Sequence, residues 1–416
     1  MTVAPSGAEG LLVNDVEVAP PEAYIVQSPV RLELAPAFHV PLLKRARDEG
    51  LGLIFAHTHP GARVVEFSKV DDAGEAVVMP ALFSRAPHGP HGSLILSEHG
   101  HAARARLRDG ATIVIPEIVE VGRSVRRSGP ALDRATIDAI DDRNVRALGE
   151  AGQRSLRALT LAVVGAGGTG SLVIEQAAHL GIGRLILIDD ERIEDTNRNR
   201  VVGASPGSVG DLKVDVAAEM VRRITGGRTI VEPFPLNVLD AEGGKLLLRA
   251  DFVMCCTDSH GSRAVVNQIA YQHLVPAIDL GVQVDAVDGQ VQAIAGRVQM
   301  LAPGLPCLQC GGVLDPAAVR RDFESAQERA ADPYNVPDTP QPAVIALNGV
   351  VASSAMTMLM AAVAGLPMRS RGLNYNGREG VIRSFGGEPD ESCVVCSRGL
   401  GAFAAGDRQP MVWRRR

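Results

Sequence analysis

The sequence predicts an α/β protein in two parts: an N-terminal α+β domain, then a doubly wound, Rossmann-like, mostly parallel sheet. Three observations support this fold class. From about residue 139 onward, apolar strands alternate with helices, which is the pattern of a parallel sheet covered on both faces. A glycine-rich turn at 165–171 joins a buried strand to a helix. The chain of 416 residues is also long enough for two or more domains.

Composition limits the classes of protein that this chain can represent. It is 46% hydrophobic and 22% charged, as in ordinary globular proteins, and its net charge of −6 offers no basic surface to nucleic acid. Residues 1–10 have neither the basic start nor the apolar run of a signal peptide. We therefore expect a cytoplasmic protein whose six cysteines are reduced or metal-bound rather than paired in disulfides.

One stretch has the length of a membrane span. Residues 343–366 contain no charge, and a helix of this length could cross a bilayer. The stretch is rich in Ala, Ser and Gly, includes Asn348, and has few Leu, Ile or Phe. This composition favours a buried core helix, so we expect no membrane partner.

Residues 1–118 are predicted to form a small domain of short strands and helices. Its predicted elements are a strand at 11–19, an amphipathic helix at 36–50 that ends at Gly50, an apolar strand within 51–60 and a closing segment at 111–122. Residues 119–138 are polar and are predicted to be a linker.

Residues 139–416 contain the strand–helix repeats. The predicted strands are 159–167, 184–190, 229–236 and 251–258, and helices are predicted at 170–180 and near 213–224. A polar, Pro-rich segment at 311–342 is long enough to suggest a functional loop.

The glycine-rich turn predicts a phosphate-binding site. Its glycines are Gly165, Gly167, Gly168 and Gly170. They allow close approach of phosphate oxygens, and the start of the following helix offers free N–H groups and a positive dipole end. Asp189 lies 19 residues beyond Gly170 at the end of the next strand, which suits a ribose hydroxyl. These features alone equally fit a nicotinamide-dependent dehydrogenase.

Further motifs distinguish these alternatives. NRNR at 197–200, Lys213 and CTDS at 256–259 resemble the motif series of the ubiquitin-activating, MoeB and ThiF family. The resemblance runs from about residue 139 to the end. It implies an adenylyltransferase that uses ATP and Mg²⁺ to activate the C-terminal carboxylate of a ubiquitin-like protein, or of a peptide, ending in glycine.

The resemblance also assigns roles to single residues. Arg200 and Lys213 would contact the phosphates, Asp258 would hold magnesium and Asn197 would order the phosphates. Joining a carboxylate to a phosphate brings anions together, so cations must offset the repulsion. Taken alone, Arg200 and Lys213 would be surface charges and Asp258 a helix cap. RNVR at 143–146 matches a family motif whose second arginine reaches the ATP of a partner subunit, which makes Arg146 that candidate and a homodimer the expected state.

Two Cys-x-x-Cys pairs predict a structural zinc. The ligands would be Cys307, Cys310, Cys393 and Cys396, and a four-cysteine site has no open position for catalysis. Because residues 311–392 separate the pairs, the fold itself must bring them together. The same pairs recur in the MoeB-like family; unrelated buried thiols are the alternative.

The N-terminal region has a second metal-ligand pattern. His57-x-His59-Pro is followed by Ser68-x-x-Asp71, which resembles the signature of JAMM/MPN metalloproteases, with a gap before Ser68 one residue longer than usual. The resemblance implies a zinc ion held by His57, His59 and Asp71, a fourth position for an activated water, and Ser68 as an oxyanion donor.

JAMM enzymes also need a glutamate base ahead of an early strand. Glu9 is the nearest carboxylate to that position, so either Glu9 serves or the base is missing and hydrolysis is impaired. An active domain would trim a precursor tail or release conjugates. Alternatively, a degenerate domain only docks the ubiquitin-like partner, or the whole protein is a ThiF-like peptide-maturation enzyme.

Overall fold

The computed structural model describes residues 2–3, 9–28, 31–325, 327–328 and 342–414. The chain divides into two compact units, and each is considered by itself. The smaller unit contains Asp15–Val119 and Arg127–Asp133, and the larger contains Met1–Asn14, Glu120–Arg126 and Arg134–Arg416. The predicted domain boundaries at 118 and 139 remain predictions, because segments from the N-terminal region contribute to both units.

The described elements up to residue 133 are short. The strands are β1 (Thr2–Val3), β2 (Glu9–Gly10), β3 (Tyr24–Ser28), β4 (Arg31–Leu34), β5 (Ile54–Thr58), β6 (His91–Ser97), β7 (Gly100–Arg106), β8 (Thr112–Ile115), β9 (Ile118–Val121) and β10 (Val125–Ser128). The helices are α1 (Pro36–Glu49), α2 (Lys69–Arg85) and α3 (Pro130–Asp133). In the smaller unit, four strands form a sheet in the order β5-β6-β7-β8, and β3 and β4 form a separate hairpin.

Two predictions for this region have clear outcomes. The helix predicted at 36–50 is confirmed as α1, and Gly50 ends it in the left-handed conformation with φ 67°, which favours glycine. The strand predicted at 11–19 is wrong, since no strand is assigned there. Its valines do not face a core, since Val16 and Val18 are 72% and 82% exposed. Alternating apolar residues favour a strand only when one face packs against other residues, and these valines have no such packing.

The predicted linker at 119–138 contains regular structure. Strands β9 and β10 pair with each other, and α3 follows them. Val121 and Val125 pack against the core of the larger unit, so this polar stretch also contributes to folding.

The larger unit is built on an eight-stranded sheet. Its strands are β11 (Thr160–Val164), β12 (Arg184–Ile188), β13 (Ile230–Phe234), β14 (Phe252–Cys255), β15 (Ala277–Val287), β16 (Gln290–Leu301), β17 (Gly372–Asn376) and β18 (Val381–Ser384). The spatial order is β13-β12-β11-β14-β15-β16-β17-β18. The first five strands are parallel, and the last three extend the sheet by antiparallel pairing. The predicted α/β fold with a mostly parallel sheet is thus confirmed for this unit.

Helices cover both faces of this sheet. They are α4 (Asp142–Ala158), α5 (Gly168–His179), α6 (Lys213–Thr225), α7 (Ala241–Leu246), α8 (His260–Gln272), α9 (Pro316–Phe323) and α10 (Ile345–Val363). Successive β11 residues point to opposite cores, with Leu161 and Val163 in the cluster that contains α5, α6 and α10 residues, and Ala162 and Val164 in the cluster that contains α8 residues. Burial on both faces explains why β11 is apolar from Leu161 to Val164 rather than alternating.

Helix α10 is the predicted core helix. Among the described residues it alone is long and apolar enough to cross a membrane by length and composition, and half of its most apolar window is buried. It packs against α5, β15 and β16, with Val351, Ala355 and Leu359 fully enclosed. This packing uses its apolar surface inside the unit.

Candidate active site and metal clusters

The glycine-rich loop begins where β11 ends. Gly165 has φ +90°, and a Cβ there would lie 3.0 Å from the carbonyl oxygen of Cys256. A Cβ on Gly170 would lie 1.8 Å from the carbonyl oxygen of Gly165, so no side chain fits at either position. Gly167 is the N-cap residue of α5 and has no side chain that could cover the helix start. The space beside it is open, since a Cβ there would meet nothing within 4 Å. The first N–H groups of α5 can therefore bind an anion.

Asp189 holds this loop to the sheet. Its Oδ2 accepts a hydrogen bond from the backbone N–H of Ala166 at 2.7 Å, and its Oδ1 accepts one from Glu191 at 2.9 Å. Burial raises the pKa of Asp189 above its ordinary value, although the Lys213 ammonium and these hydrogen bonds oppose the shift. Each carboxylate oxygen keeps acceptor capacity, and contact with a ribose remains a prediction.

Lys213 is the first residue of α6, and its side chain is only 9% exposed. The ammonium forms an ion pair with Glu191, and its backbone N–H donates to the Glu191 carbonyl at 3.0 Å. Sequence reasoning missed Glu191, which is recognisable only by its position two residues after Asp189. The pair places a cation beside the loop that follows β12.

Arg200 lies next to the start of α5. A Cβ on Gly168 would be 3.2 Å from Cγ and Cδ of Arg200, so the arginine stem packs there. Its guanidinium donates to the Thr196 carbonyl at 2.6 Å. Asn197 is buried, and its Oδ1 accepts from the Glu194 N–H at 3.1 Å while its carbonyl accepts from the Arg200 N–H at 3.0 Å. In the structure Asn197 therefore shapes the turn that carries Arg200.

Asp258 follows β14 and is exposed. Among the described residues, none forms a hydrogen bond or ion pair with its carboxylate. It is not the cap of α8, because Ser259 occupies that position and accepts from the Ser262 N–H at 3.1 Å. Because Gly165 abuts the backbone of Cys256 and Thr257, Asp258 follows directly from a segment in contact with the glycine-rich loop. A free carboxylate at this edge suits a magnesium ion.

Arg146 stands apart from these residues. It lies on α4 with a side chain that is 70% exposed, and it pairs with Asp142 at 2.9 Å. No hydrogen bond or ion pair joins it to the other predicted nucleotide residues within the described part of the chain.

The four cysteines of the two Cys-x-x-Cys pairs come together. Their sulfur atoms all lie within 4.8 Å of one another, with Cys307–Cys310 at 3.6 Å, Cys307–Cys393 at 3.6 Å and Cys310–Cys396 at 3.4 Å. A tetrahedral zinc with Zn–S bonds of about 2.3 Å would separate its sulfurs by about 3.8 Å. The donor set and spacing fit zinc, and the fold bridges the long insert as predicted.

The other two cysteines lie outside this cluster. Cys255 is fully buried in β14, and Cys256 follows it. Burial raises the pKa of both thiols well above the ordinary value. This environment disfavours the thiolate form of both residues.

His57, His59 and Asp71 form a second cluster, in the smaller unit. His57 is the penultimate residue of β5, and His59 directly follows the strand; their Nε2 atoms are 3.1 Å apart. The Asp71 carboxylate lies 3.1 Å from His57 Nε2 and 3.7 Å from His59 Nε2. Burial opposes ionisation of Asp71, but hydrogen bonds from Ser68 and the two nearby rings outweigh it and lower its pKa. Two imidazoles and a carboxylate at this spacing fit a zinc ion with an open position.

Ser68 positions Asp71. It caps α2, accepting from the Asp71 N–H at 3.2 Å, while Asp71 accepts from the Ser68 N–H at 2.7 Å. This reciprocal capping box explains the spacing of the two residues. A role for Ser68 as an oxyanion donor remains a prediction.

The base of the JAMM-like pattern is less defined. The backbone of Glu9 pairs with Val3, but its side chain lies outside the described residues, and Met1–Asn14 belongs to the larger unit. Sequence reasoning did not consider Glu98 as the base; its Oε2 accepts a hydrogen bond from the Gly61 N–H at 3.0 Å. Glu98 lies in the turn between β6 and β7, and this bond holds its carboxylate against the loop that follows His59.

Comparison with known proteins places the larger unit in a family. The model of the ThiF family matches residues 141–395. The chain belongs to the ThiF family. This match covers the glycine-rich loop, Arg200, Lys213, Asp258 and three of the four clustered cysteines.

Three relatives illustrate the range of the family. "Ubiquitin-like modifier-activating enzyme 5" of Oryza sativa is 33% identical over 169 residues, which are 37% of this chain and 38% of that protein. The "SAMP-activating enzyme E1" of Haloferax volcanii is 28% identical over 61% of this chain and 85% of its own length. "Adenylyltransferase and sulfurtransferase uba4" of Aspergillus fumigatus is 35% identical over 39% of this chain and 33% of its own length. The chain thus spans less than half the length of two of these three relatives.

A solved structure has the same fold. The crystal structure of MccB of E. coli with MccA-N7isoASN superimposes with a TM-score of 0.52 at 21% identity, over 63% of this chain and 76% of that one. This likeness concerns the fold of the ThiF-family unit.

Proposed function

We propose that this ThiF-family protein uses ATP and Mg²⁺ to adenylate the C-terminal carboxylate of a ubiquitin-like protein or peptide that ends in glycine. The observation that carries the proposal is the grouping at the carboxyl end of the parallel strands. The glycine-rich loop there contacts the Arg200 stem and the backbone of Cys256 and Thr257, which precede Asp258. Ligands of open α/β sheets bind at this edge.

The reaction joins two anions. A carboxylate oxygen attacks the α-phosphorus of ATP, the bond to the bridging oxygen breaks, and pyrophosphate leaves with that electron pair. Arg200 and Lys213 would offset the negative charge, and the N–H groups of α5 would orient phosphate oxygens. Asp258 would hold the magnesium that neutralises the leaving group.

The substrate class follows from the names of the relatives. Two of them are named for activating ubiquitin-like modifiers or SAMP. We infer that the substrate of the present chain is a modifier of the same kind. A peptide substrate, as in ThiF-like peptide maturation, shares the adenylation step and differs only in the tail presented.

The adenylate would pass directly to a nucleophile of another molecule. A thioester on this chain would need an ionised cysteine, whereas Cys255 and Cys256 are held as thiols by burial. The other four cysteines lie in the cluster that fits zinc.

Arg146 is proposed to complete the site of a partner subunit in a homodimer. We expect Arg146→Ala and Lys213→Ala homodimers each to lose ATP–pyrophosphate exchange. Mixing them should restore about a quarter of wild-type activity, because half the dimers would be mixed and each of these keeps one intact composite site. Arg143→Ala, which changes the first arginine of the same motif, is the control. Its homodimer should keep exchange activity without being mixed with another variant. Absence of recovery in verified mixed dimers would contradict a shared site.

The smaller unit is proposed to be a JAMM-like zinc hydrolase that trims or releases the same C-terminus. Zinc would be held by His57, His59 and Asp71 and would activate water. Glu98, which lies in the same unit, would take the proton of that water, whereas Glu9, the base expected from the sequence, belongs to the larger unit. The alternative is a docking module without this metal, and zinc content separates the two.

His57→Ala should lower the zinc content from about two ions per chain to about one, because one of three protein ligands is lost from an open site. The measurement is elemental analysis of protein purified without chelator. His101→Ala is the matched control, because this half-buried histidine contacts Ser128 and belongs to neither cluster. One zinc in the wild-type protein, unchanged by His57→Ala, would favour docking.

A further inference from the structure

Asn348 is a buried polar residue without an assigned role. It is the fourth residue of α10 and is 5% exposed. Its backbone N–H donates to the Val344 carbonyl at 3.1 Å, but its side-chain amide forms no hydrogen bond with any residue that the structure describes. The amide is not among the fully enclosed side-chain groups that lack a partner, so it keeps access to solvent and can donate a hydrogen bond to a ligand.

The position of the amide indicates where that partner binds. A Cβ on Gly168 would lie 2.6 Å from Nδ2 of Asn348, and Cδ of Arg200 approaches the same point to 3.2 Å. The amide therefore lies against the first residue of α5, where the free N–H groups of the helix begin. It also shares this position with the stem of a predicted phosphate ligand.

We propose that Asn348 is a further phosphate ligand, whose side-chain N–H donates a hydrogen bond to a phosphate oxygen of ATP. The inference rests on the proposed adenylation site. Arg200 and Lys213 would offset the charge of the phosphates, and the neutral amide would orient one phosphate oxygen, because hydrogen bonds to ionised oxygens are short and directional. It also explains Gly168, since a side chain there would displace the amide.

The test compares Asn348→Ala and the isosteric Asn348→Asp with wild-type protein. The measurements are equilibrium binding of a non-hydrolysable ATP analogue, binding of adenosine, and thermal unfolding without nucleotide. We expect Asn348→Ala to bind the analogue at least about tenfold more weakly and adenosine equally well. Without nucleotide it should be as stable as wild type or more so, because the amide has no hydrogen bond to lose among the described residues and alanine favours a helix. Asn348→Asp should bind the analogue more weakly still, since its charge repels phosphate.

Ser353→Ala is the matched control on the same helix, where the hydroxyl accepts from Gln176 at 3.2 Å, and it should leave analogue binding unchanged. Normal analogue binding by Asn348→Asp, or equal losses for analogue and adenosine in Asn348→Ala, would overturn the inference and indicate a packing role. Failure of wild-type protein to bind the analogue would instead overturn the proposed function, and this inference with it.

Discussion

Replacing Asp258 with asparagine should lower ATP–pyrophosphate exchange about a thousandfold, which is the scale of losing a group that stabilises charge in the transition state. The substitution keeps the shape of the side chain and removes its charge. Because Asp258 is exposed and has no partner among the described residues, the variant should fold normally. The loss should therefore appear in exchange, while thermal unfolding without nucleotide stays unchanged.

Asp288→Asn is the matched control for this experiment. Asp288 is also exposed, at the turn between β15 and β16, and its φ of 50° is one that asparagine tolerates. It should retain full exchange activity. Comparable activity of the two variants with the cognate substrate would contradict the assignment of Asp258 to magnesium.

Replacing Cys393 with serine should remove one zinc ion per chain and destabilise the larger unit by more than about 4 kcal/mol, as expected for the loss of a structural metal. Cys393 is buried and its sulfur lies 3.6 Å from that of Cys307, which is 86 residues earlier in the chain. Without the metal, nothing in the cluster would tie these segments together. Zinc analysis and chemical denaturation measure the two effects.

Cys256→Ser is the control for the cysteine experiment, because Cys256 lies outside the four-cysteine cluster. It should keep the full zinc content. Equal zinc content in Cys393→Ser and wild-type protein would show that the four sulfurs do not hold zinc.

Sequence reasoning predicted elements whose signals are local. Strand β11 is apolar from Leu161 to Val164, and α1 ends at a glycine in the left-handed conformation, so both were recognisable from their own residues. The antiparallel extension of the sheet was missed, because the first half of β16 is largely exposed and its pairing with distant β17 leaves no local pattern. The strand prediction at 11–19 was wrong for the converse reason: the local pattern of alternating apolar residues is present, but those residues do not pack against a core.

The residues of the candidate sites also fall into two groups, those that sequence motifs predict and those that only the folded chain brings together. Gly165, Arg200, Lys213 and Asp258 were predicted by motifs. Glu191 and Asn348 were not, because their relation to Lys213 and Gly168 exists only in the folded chain. The clustering of His57, His59 and Asp71 was predicted from the resemblance to the JAMM signature, whereas the approach of Glu98 to Gly61 depends on the pairing of β5 with β6.

The most direct test of the central claim is ATP–pyrophosphate exchange by the wild-type protein with small ubiquitin-like proteins ending in Gly-Gly. The matched control is each substrate with its last glycine removed, which displaces the carboxylate from the α-phosphate. The proposed adenylation predicts magnesium-dependent incorporation of labelled pyrophosphate into ATP with one intact substrate, and none with its truncated form. Exchange that is indifferent to the terminal glycine, or its absence with every such substrate in a protein that binds ATP, would contradict the proposal.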